Sequence, residues 1–281
     1  MRRLRIFERE CLSVLKNRTN ISIRLAVKNS IRYIPLLQNL ISRELKKKYR
    51  NSVLGYAWCV LNPLMVMLIM NFVFSQMFRN NIENFPVYLF AGRMMFSFIT
   101  DSTNSLARSI VNNGSLMRKT RIPYYIFPLA NFCTSIINFL FSLIAFAIVL
   151  IFTGTPITVH VLAFPAVLLS MCMFAFGLGL FLAQANTFMR DVSYAYSVFI
   201  TAWTYLSPIF YPLESLPGLL QKLITNFNPA YFYMQQSRMI FMSHMWPSPD
   251  LLLRGFVCGA VFLLIGLYSY ARSKENLILY V

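Results

Sequence analysis

Residue types that could carry out chemistry are sparse in this sequence of 281 residues. Only nine residues are acidic, and the two histidines, His160 and His244, stand alone, so the spacing of a metal site is absent. No phosphate-binding loop of the form G-x-x-x-x-G-K-[ST], no serine nucleophile elbow and no HExxH sequence occurs. The five cysteines form no CxxC pair, and four lie in apolar runs, as buried free thiols do. The sequence therefore predicts no catalytic centre, no metal site and no ATP site of its own.

Asp101 is the acidic residue with the strongest claim to a functional role. It lies within an apolar run, shares a helix face with Arg108, and has serine, threonine and asparagine neighbours. A proton-coupled carrier needs ionisable groups at mid-depth in the membrane. The same residues fit a water-exposed end of a membrane helix, which is the simpler interpretation, and both stay open.

Aromatic side chains recur at helical spacing in residues 189–212. On a helical wheel four of them fall within about 60° of each other. They are Tyr196, Phe199, Trp203 and Phe210. Such a stripe either faces lipid and neighbouring helices or forms a wall on which sugar rings stack. Trp58, near the start of the first apolar run, is a fifth aromatic candidate for such a wall.

The elements that must position these residues are membrane helices. The chain is 57% apolar and only 12% charged, whereas a soluble domain has about 25% charged residues. Runs of about 20 apolar residues are long enough to cross a bilayer. Six spans are predicted, at about 57–78, 86–107, 124–152, 159–184, 192–210 and 251–270. The fourth has the small residues Ala175, Gly177, Gly179 and Ala183, which predict close helix packing.

Basic residues set the predicted orientation. The formal charge is +17, and 14 of the 26 Lys and Arg residues precede Asn51, so the charge is not distributed as in a nucleic-acid-binding domain. With six spans, 21 basic residues flank one side and 4 the other. Cytoplasmic loops are enriched in Lys and Arg. Both termini are therefore predicted to be cytoplasmic, with residues 1–50 as a basic arm and 51–281 as a six-span domain.

Residues 34–46 form an amphipathic pattern. Leucine and isoleucine side chains fall on one half of a helix and polar side chains on the other, which is typical of a helix lying in the membrane interface. Basic residues then crowd together where the chain is predicted to turn into the bilayer at Lys47 and Lys48. The candidates for interface contact are Arg43, Lys46, Lys47, Lys48, Tyr49 and Arg50.

Two segments between spans have helical signals of their own. Residues 112–122 are compact and basic and predict either a short surface helix or a solvated loop. Residues 211–249 are too apolar for a plain loop and predict two short helices at 216–224 and 229–242. Asn228 is the N-cap of the second and Pro229 its first residue. The pair either re-enters the membrane as a hairpin or lies on its surface.

The segment from Arg43 to Leu64 resembles the signature of ABC-2 type transport permeases for polysaccharides. That signature has a basic residue and Leu-Lys, then Tyr, Ser, Leu-Gly, Trp and Asn-Pro-Leu. The matching residues are Arg43, Leu45, Lys46, Tyr49, Ser52, Leu54, Gly55, Trp58, Asn62, Pro63 and Leu64. Later blocks that resemble the family in the same order are Lys119–Pro123 with Pro128, Arg190-Asp191 with Ser207-Pro208-Ile209, and Asn228-Pro229 with Arg238. Glu44 stands where many relatives have Asp, and Arg93 where an apolar residue is commoner.

The resemblance implies a homodimer of six-span subunits with a channel between them, associated with two copies of a separate ABC ATPase subunit that binds ATP and Mg. The implied cargo is a lipid-linked polysaccharide, such as O-antigen, teichoic acid or capsule, which enters from the lipids of the bacterial cytoplasmic membrane. Residues 34–49 would be the interface helix. Implied coupling residues are Asn113, Leu116, Arg118, Lys119 and Arg121, and implied outer-gate residues are Asn228, Pro229 and Arg238.

Three alternatives are weighed against a polysaccharide permease. An ABC-2 permease for a smaller lipid or drug differs in its channel lining, since sugar polymers favour aromatic and neutral polar walls. A membrane glycosyltransferase would need clustered acidic residues for a metal and a nucleotide sugar. An ion-coupled carrier would need more ionisable groups within the spans. The sparse acidic residues disfavour the last two classes.

Overall fold

The computed structural model describes residues 33–49, 52–78, 82, 84–119 and 122–273. Ten α-helices make up most of this described part, which contains no β-strand. They are α1 (Ile34–Tyr49), α2 (Trp58–Phe78), α3 (Phe85–Asn112), α4 (Gly114–Lys119), α5 (Ile126–Phe152), α6 (Phe164–Phe188), α7 (Asp191–Leu206), α8 (Gly218–Phe227), α9 (Pro229–Phe241) and α10 (Pro249–Ser273). The prediction of an all-helical protein is confirmed. Most of the predicted basic arm, together with Arg50 and Arg121, lies outside the described residues.

Four stretches in the described part are long and apolar enough to cross a membrane. They are Gly55–Ser75, Ile126–Phe152, Val159–Phe188 and Pro249–Ser273. Helix α3 lies over the second predicted span but contains Arg93, Asp101 and Arg108, and α7, over the fifth, has only 16 residues. A helix needs about 20 mostly apolar residues to cross the hydrocarbon. The six-span arrangement therefore stays a prediction for α3 and α7.

Helix α7 ends at Leu206, before the predicted end of the fifth span. A proline disfavours helical backbone at the residue before it. Ser207, which precedes Pro208, has φ −91° and ψ 137° and so cannot continue the helix. The same effect starts α8 at Gly218, two residues later than predicted, because Leu216 precedes Pro217 and is also extended.

Helix α6 packs most extensively against α10 and α3. A Cβ added to Gly177 would lie 2.4 Å from the backbone nitrogen of Leu263, and one added to Gly266 would lie 2.3 Å from the carbonyl oxygen of Gly177. Gly179 faces α3, where its Cβ would lie 2.7 Å from the side chain of Leu106. The close packing predicted from the small residues of the fourth span is confirmed.

Helix α1 packs its apolar side against α5. Leu40 is buried in a small core with Ile110, Met117 and Phe127. The helix continues to Tyr49, so the turn predicted at Lys47 and Lys48 is wrong. Leu and Lys are good helix formers, and this stretch has no Gly or Pro to stop it. The end of the bundle that holds α1, α4 and the start of α5 is called the α4 end below.

Helices α8 and α9 confirm that both predicted short helices exist. Most side chains of α9 are buried, and this helix packs against α3, α6 and α10. Helix α8 buries Ile224 and exposes Leu219, Leu223 and Phe227. Their depth in a membrane, and hence a re-entrant arrangement, stays a prediction. The end of the bundle that holds these two helices is called the α8 end.

Candidate functional site

At the α4 end, a hydrogen bond joins α1 to the junction of α3 and α4. The Arg43 Nη2 atom donates to Asn113 Oδ1 at 2.6 Å and forms an ion pair with Glu44 Oε1 at 2.8 Å. Asn113 is the C-cap residue of α3, and its Nδ2 atom donates to the carbonyl oxygen of Ser109 at 2.8 Å. Arg43 therefore links α1 to the junction of α3 and α4.

The other predicted interface and coupling residues lie around this link. Lys46 and Lys47 are exposed on α1, and Lys48 and Tyr49 belong to the helix, although their side chains lie outside the described part. The segment predicted as a surface helix or a loop contains α4, so its helical interpretation is confirmed. Of the predicted coupling residues, Asn113 is buried, Leu116 is half-buried, and Arg118 and Lys119 are exposed.

Three aromatic side chains of α7 form a continuous series of ring contacts. The ring centroids of Tyr196 and Phe199 lie 6.0 Å apart, and those of Phe199 and Trp203 lie 5.5 Å apart. Tyr196 and Trp203 are buried against α3, where the Tyr196 hydroxyl is 2.7 Å from the Thr103 hydroxyl and Trp203 meets Phe96 edge-on. Phe199 is 54% exposed. Phe199 is therefore the member of this aromatic series with a ring face free for a ligand.

Phe210 and Trp58 do not join this series. Phe210 follows the end of α7, is buried, and stacks on Phe74 of α2 with a centroid distance of 4.8 Å. A helical wheel places Phe210 on the face of Tyr196 only if the helix continues through residue 210. The helix ends at Leu206, so that placement is wrong. Trp58 is the first residue of α2 and is 41% exposed.

The aromatic series opens on a cavity of about 1030 Å³. Helices α6, α8, α9 and α10 supply the rest of the wall, which is mostly apolar. Arg254 on this wall forms an ion pair with Asp250 at 2.9 Å and donates to Asn226 Oδ1, also at 2.9 Å. The charge on that arginine is therefore largely compensated. A ring or an acyl chain would be held in this cavity by apolar contact and stacking.

Asn228 joins the end of α7 to the start of α9. Its Oδ1 atom accepts a hydrogen bond from the backbone nitrogen of Ala230 at 3.1 Å, as an N-cap residue does. The same oxygen accepts from Trp203 Nε1 at 2.9 Å, while Nδ2 donates to the Ser207 hydroxyl at 2.9 Å. The predicted N-cap is confirmed, and Pro229 holds the predicted first position of the helix.

Arg238 is almost fully buried, at 4% exposure, and its acceptors are backbone carbonyls. The Nη2 atom donates to the carbonyl oxygens of Pro208 at 2.8 Å and Ile209 at 3.2 Å. The Nε atom donates to the carbonyl oxygen of Tyr88 at 3.4 Å, and the guanidinium carbon lies 3.6 Å from the centroid of the Tyr88 ring. One side chain therefore fixes α9 to α3 and to the connection between α7 and α8.

The partners of Arg238 on α3 were not predicted. A Cβ on Gly92 would lie 2.5 Å from the Arg238 Nη2 atom, so only glycine leaves room for the guanidinium. Tyr88 and Gly92 are four residues apart and therefore lie on one face of α3. The available signal was a single charged residue, Arg238, in a short helix whose other residues are all uncharged, since a buried cation requires acceptors from a neighbouring element.

The long apolar helices, the short helices at the α8 end and the buried polar links between them define a helical integral membrane protein. Residues 35–242 match the ABC-2 type transporter family, and the chain belongs to that family. The resemblance identified from the segment after Arg43 is therefore confirmed.

Several relatives align over most of this chain. The O-antigen export system permease protein RfbA of Myxococcus xanthus is 33% identical over 251 residues, which cover 89% of this chain and 96% of the relative. A protein of the same name from Klebsiella pneumoniae is 29% identical, with 85% and 92% covered. The capsule polysaccharide export inner-membrane protein CtrC of Neisseria meningitidis is 24% identical, with 84% and 90% covered.

Proposed function

We propose that this chain is the permease subunit of an ABC transporter that exports a lipid-linked polysaccharide across the bacterial cytoplasmic membrane. The observation that carries the proposal is similarity along most of the chain to permeases whose names state O-antigen or capsule polysaccharide export. The absence of a phosphate-binding loop from the sequence fits a separate ATPase subunit that binds ATP and Mg.

The assembly proposed is a homodimer with two ATPase subunits, six spans in each permease chain and both termini in the cytoplasm. Helix α4 would contact the ATPase, and the bond between Arg43 and Asn113 would make α1 move with it. The α8 end would then face outward, where α8 and α9 form the gate. Arg238 and Asn228 would hold that gate against α3 and α7.

The aromatic series of α7 is proposed as the surface on which sugar rings slide. Stacking on an aromatic face contributes about 1 kcal/mol per contact, which is weak enough for successive rings to be released. Phe199 supplies the free face, and Tyr196 and Trp203 hold it in place.

Export to the cell surface tests this proposal. The chain and its ATPase are produced in cells that lack their own permease, and surface polysaccharide is measured per assembled complex. Phe199→Ala should lower export severalfold, because it removes the exposed ring without disturbing the buried contacts to α3. Val198→Ala is the matched control, since Val198 is the adjacent residue of α7 and is 72% exposed.

Two results would contradict the proposal. No surface polysaccharide from the wild-type complex would defeat polysaccharide export itself. Equal export by both variants would remove the aromatic series from the path. The mostly apolar cavity favours one second candidate, a permease for a smaller lipid or drug. That candidate predicts transport of such a compound by cells in which polysaccharide synthesis is blocked.

A further inference from the structure

Helix α5 is the most apolar of the described spanning helices, yet it has one line of polar residues. The residues are Asn131, Thr134, Ser135, Asn138 and Ser142, at spacings that place them on one helix face. At a rise of 1.5 Å per residue the line is about 16 Å long, about half of the hydrocarbon thickness. Unpaired carboxamides on a lipid-facing helix would be costly, so Asn131 and Asn138 are expected to face protein or water.

Helix α3 carries a matching line. Between residues 87 and 110 every residue that is not buried is polar. The residues are Arg93, Ser97, Asp101, Asn104, Ser105 and Arg108. The rest of this part of α3 packs against other helices, so its one accessible face is hydrophilic.

Ser97, Asp101 and Ser105 of the α3 line and all five residues of the α5 line border one cavity of about 590 Å³. Glu44 and Lys47 of α1 close it at the α4 end. A second cavity of about 170 Å³ adjoins the first, shares Ser97, Asp101 and Ser142 with it, and reaches Arg93, although most of its other lining is apolar. The two cavities together form what is called the polar groove below. The polar groove shares no lining residue with the cavity beside the α7 aromatic series.

On the α5 side the polar groove offers hydroxyl oxygens as acceptors and the carboxamides of Asn131 and Asn138, which carry both a donor and an acceptor group. The hydroxyls of Thr134, Ser135 and Ser142 donate to carbonyl oxygens of their own helix at 2.9, 3.1 and 3.2 Å, which leaves oxygen lone pairs free. The Asn138 Oδ1 atom is buried and has no hydrogen-bond partner. A ligand that matches this lining must carry donors for the hydroxyl oxygens and acceptors for the amide nitrogens.

The charges of the polar groove do not favour an anion. Glu44 and Asp101 balance Lys47 and Arg93, so the lining has two charges of each sign. A phosphate diester or an ionised diphosphate has oxygen acceptors and no donor. A sugar has many hydroxyl donors, and its neutral rings need no excess of positive charge.

We propose that the polar groove binds the carbohydrate part of the cargo, through hydrogen bonds from sugar hydroxyls to Asn138 and to the hydroxyl line of α5. This inference rests on the proposed function and adds a second carbohydrate site, away from the aromatic series. Asn138 is the fourth of the five residues in the line, and its Oδ1 atom, which is buried and unpaired, can accept a bond from a sugar once the carboxamide rotates toward the groove.

Thiol labelling in the assembled complex tests occupancy of the polar groove. Ser142→Cys is made in a cysteine-free chain, with Leu140→Cys as control, because Leu140 is 51% exposed on the same helix and outside the groove lining. The probe is a water-soluble cationic methanethiosulfonate, applied to inside-out membrane vesicles so that it reaches the α4 end, which is proposed to be cytoplasmic. Labelling at position 142 should be about tenfold faster than at 140, since thiolate formation needs water. Polysaccharide synthesis in the cells from which the vesicles are made should slow labelling at 142 about threefold, as expected when two thirds of the sites are occupied.

Each other labelling result overturns the proposal. Equal rates at the two positions would mean that water does not enter. A fast labelling rate at 142 that polysaccharide synthesis does not change would show that water enters the groove but polysaccharide does not bind there. If a sugar-free diphosphate lipid that accumulates in the cells slows labelling at 142 equally, the groove binds the phosphate groups instead of the sugar.

Export by Asn138 variants provides an independent test. Asn138→Leu should lower export per assembled complex about fivefold, the effect of losing one hydrogen bond. Asn138→Gln keeps the carboxamide and should retain most of the export. Normal export by Asn138→Leu would refute carbohydrate binding in the polar groove and would leave the proposal of polysaccharide export intact. The proposed site and the proposed function can therefore fail separately. If Asn138→Leu reduces assembly of the complex, the labelling rates at position 142 alone decide whether the groove binds carbohydrate.

Discussion

Gly92→Ala is expected to destabilise the protein, although this substitution within a helix normally stabilises. An interior alanine is about 0.5–1 kcal/mol better than glycine in a helix. At position 92 the added Cβ would lie 2.5 Å from Arg238 Nη2 and 3.1 Å from its Cζ. The guanidinium must therefore move, and it is the atom Nη2 that donates to the carbonyls of Pro208 and Ile209.

The expected loss of stability follows from these hydrogen bonds. A hydrogen bond to a charged group contributes about 1.5–3 kcal/mol, and at least one is lost while the charge stays buried, so the net loss should be about 0.5–2.5 kcal/mol after the helix-propensity gain. The thermal midpoint of the purified complex in nanodiscs should fall by roughly 1–10 °C. Gly218→Ala is the control, because nothing lies within 4 Å of a Cβ at that position.

A double-mutant cycle isolates the mechanism. In an Arg238→Ala background the clash is gone, so Gly92→Ala should become neutral or slightly stabilising. An unchanged or higher midpoint for Gly92→Ala alone would refute the contact between α3 and α9. The same loss in both backgrounds would show that the cause is something other than the guanidinium.

Three further predictions follow from contacts elsewhere in the bundle. Gly177→Ala should lower the thermal midpoint more than Gly255→Ala. At 177 the added Cβ meets rigid backbone of α10 at 2.4 Å, whereas at 255 the nearest atom is a side-chain carbon at 3.2 Å. Equal midpoints for the two variants would argue against the close packing of α6 on α10. Arg43→Ala should leave ATP hydrolysis by the assembled complex largely intact and lower the export per ATP hydrolysed. The substitution removes the hydrogen bond to Asn113, which contributes about 1 kcal/mol at this partly exposed site. A parallel fall in hydrolysis and export would contradict a role in coupling. With single cysteines at the exposed Ser115 and Ser215, an impermeant thiol reagent should label only position 215 in intact cells, and labelling at 115 would reverse the proposed orientation.

Features that depend on neighbouring residues could be predicted from the sequence. Helices form where apolar runs are long, and α1 forms where apolar and polar residues alternate with helical period. Asn228 caps α9 because a cap needs only its own side chain and the next two residues, with Pro229 suited to the first turn. The family was also evident from one segment, since its signature is contiguous.

Helix ends were less predictable where a proline acts at a distance of one or two residues. The aromatic stripe was extended to Phe210 because hydropathy continues past Leu206, yet Ser207 is held extended by Pro208. The ring of Phe210 therefore faces α2 instead of following Phe199.

The sequence by itself determined that this is a helical membrane protein with a basic, amphipathic helix at residues 34–49, because composition, period and capping act within a single segment. Only the tertiary structure decided which residues on different helices meet. Arg238 finds the carbonyls of α3 and of the connection after α7, and the polar line of α5 faces that of α3, because of how the helices are rotated and how closely they approach. Those two quantities are set by packing across the whole bundle, where Gly92 and Gly177 leave the space, and no single segment contains them.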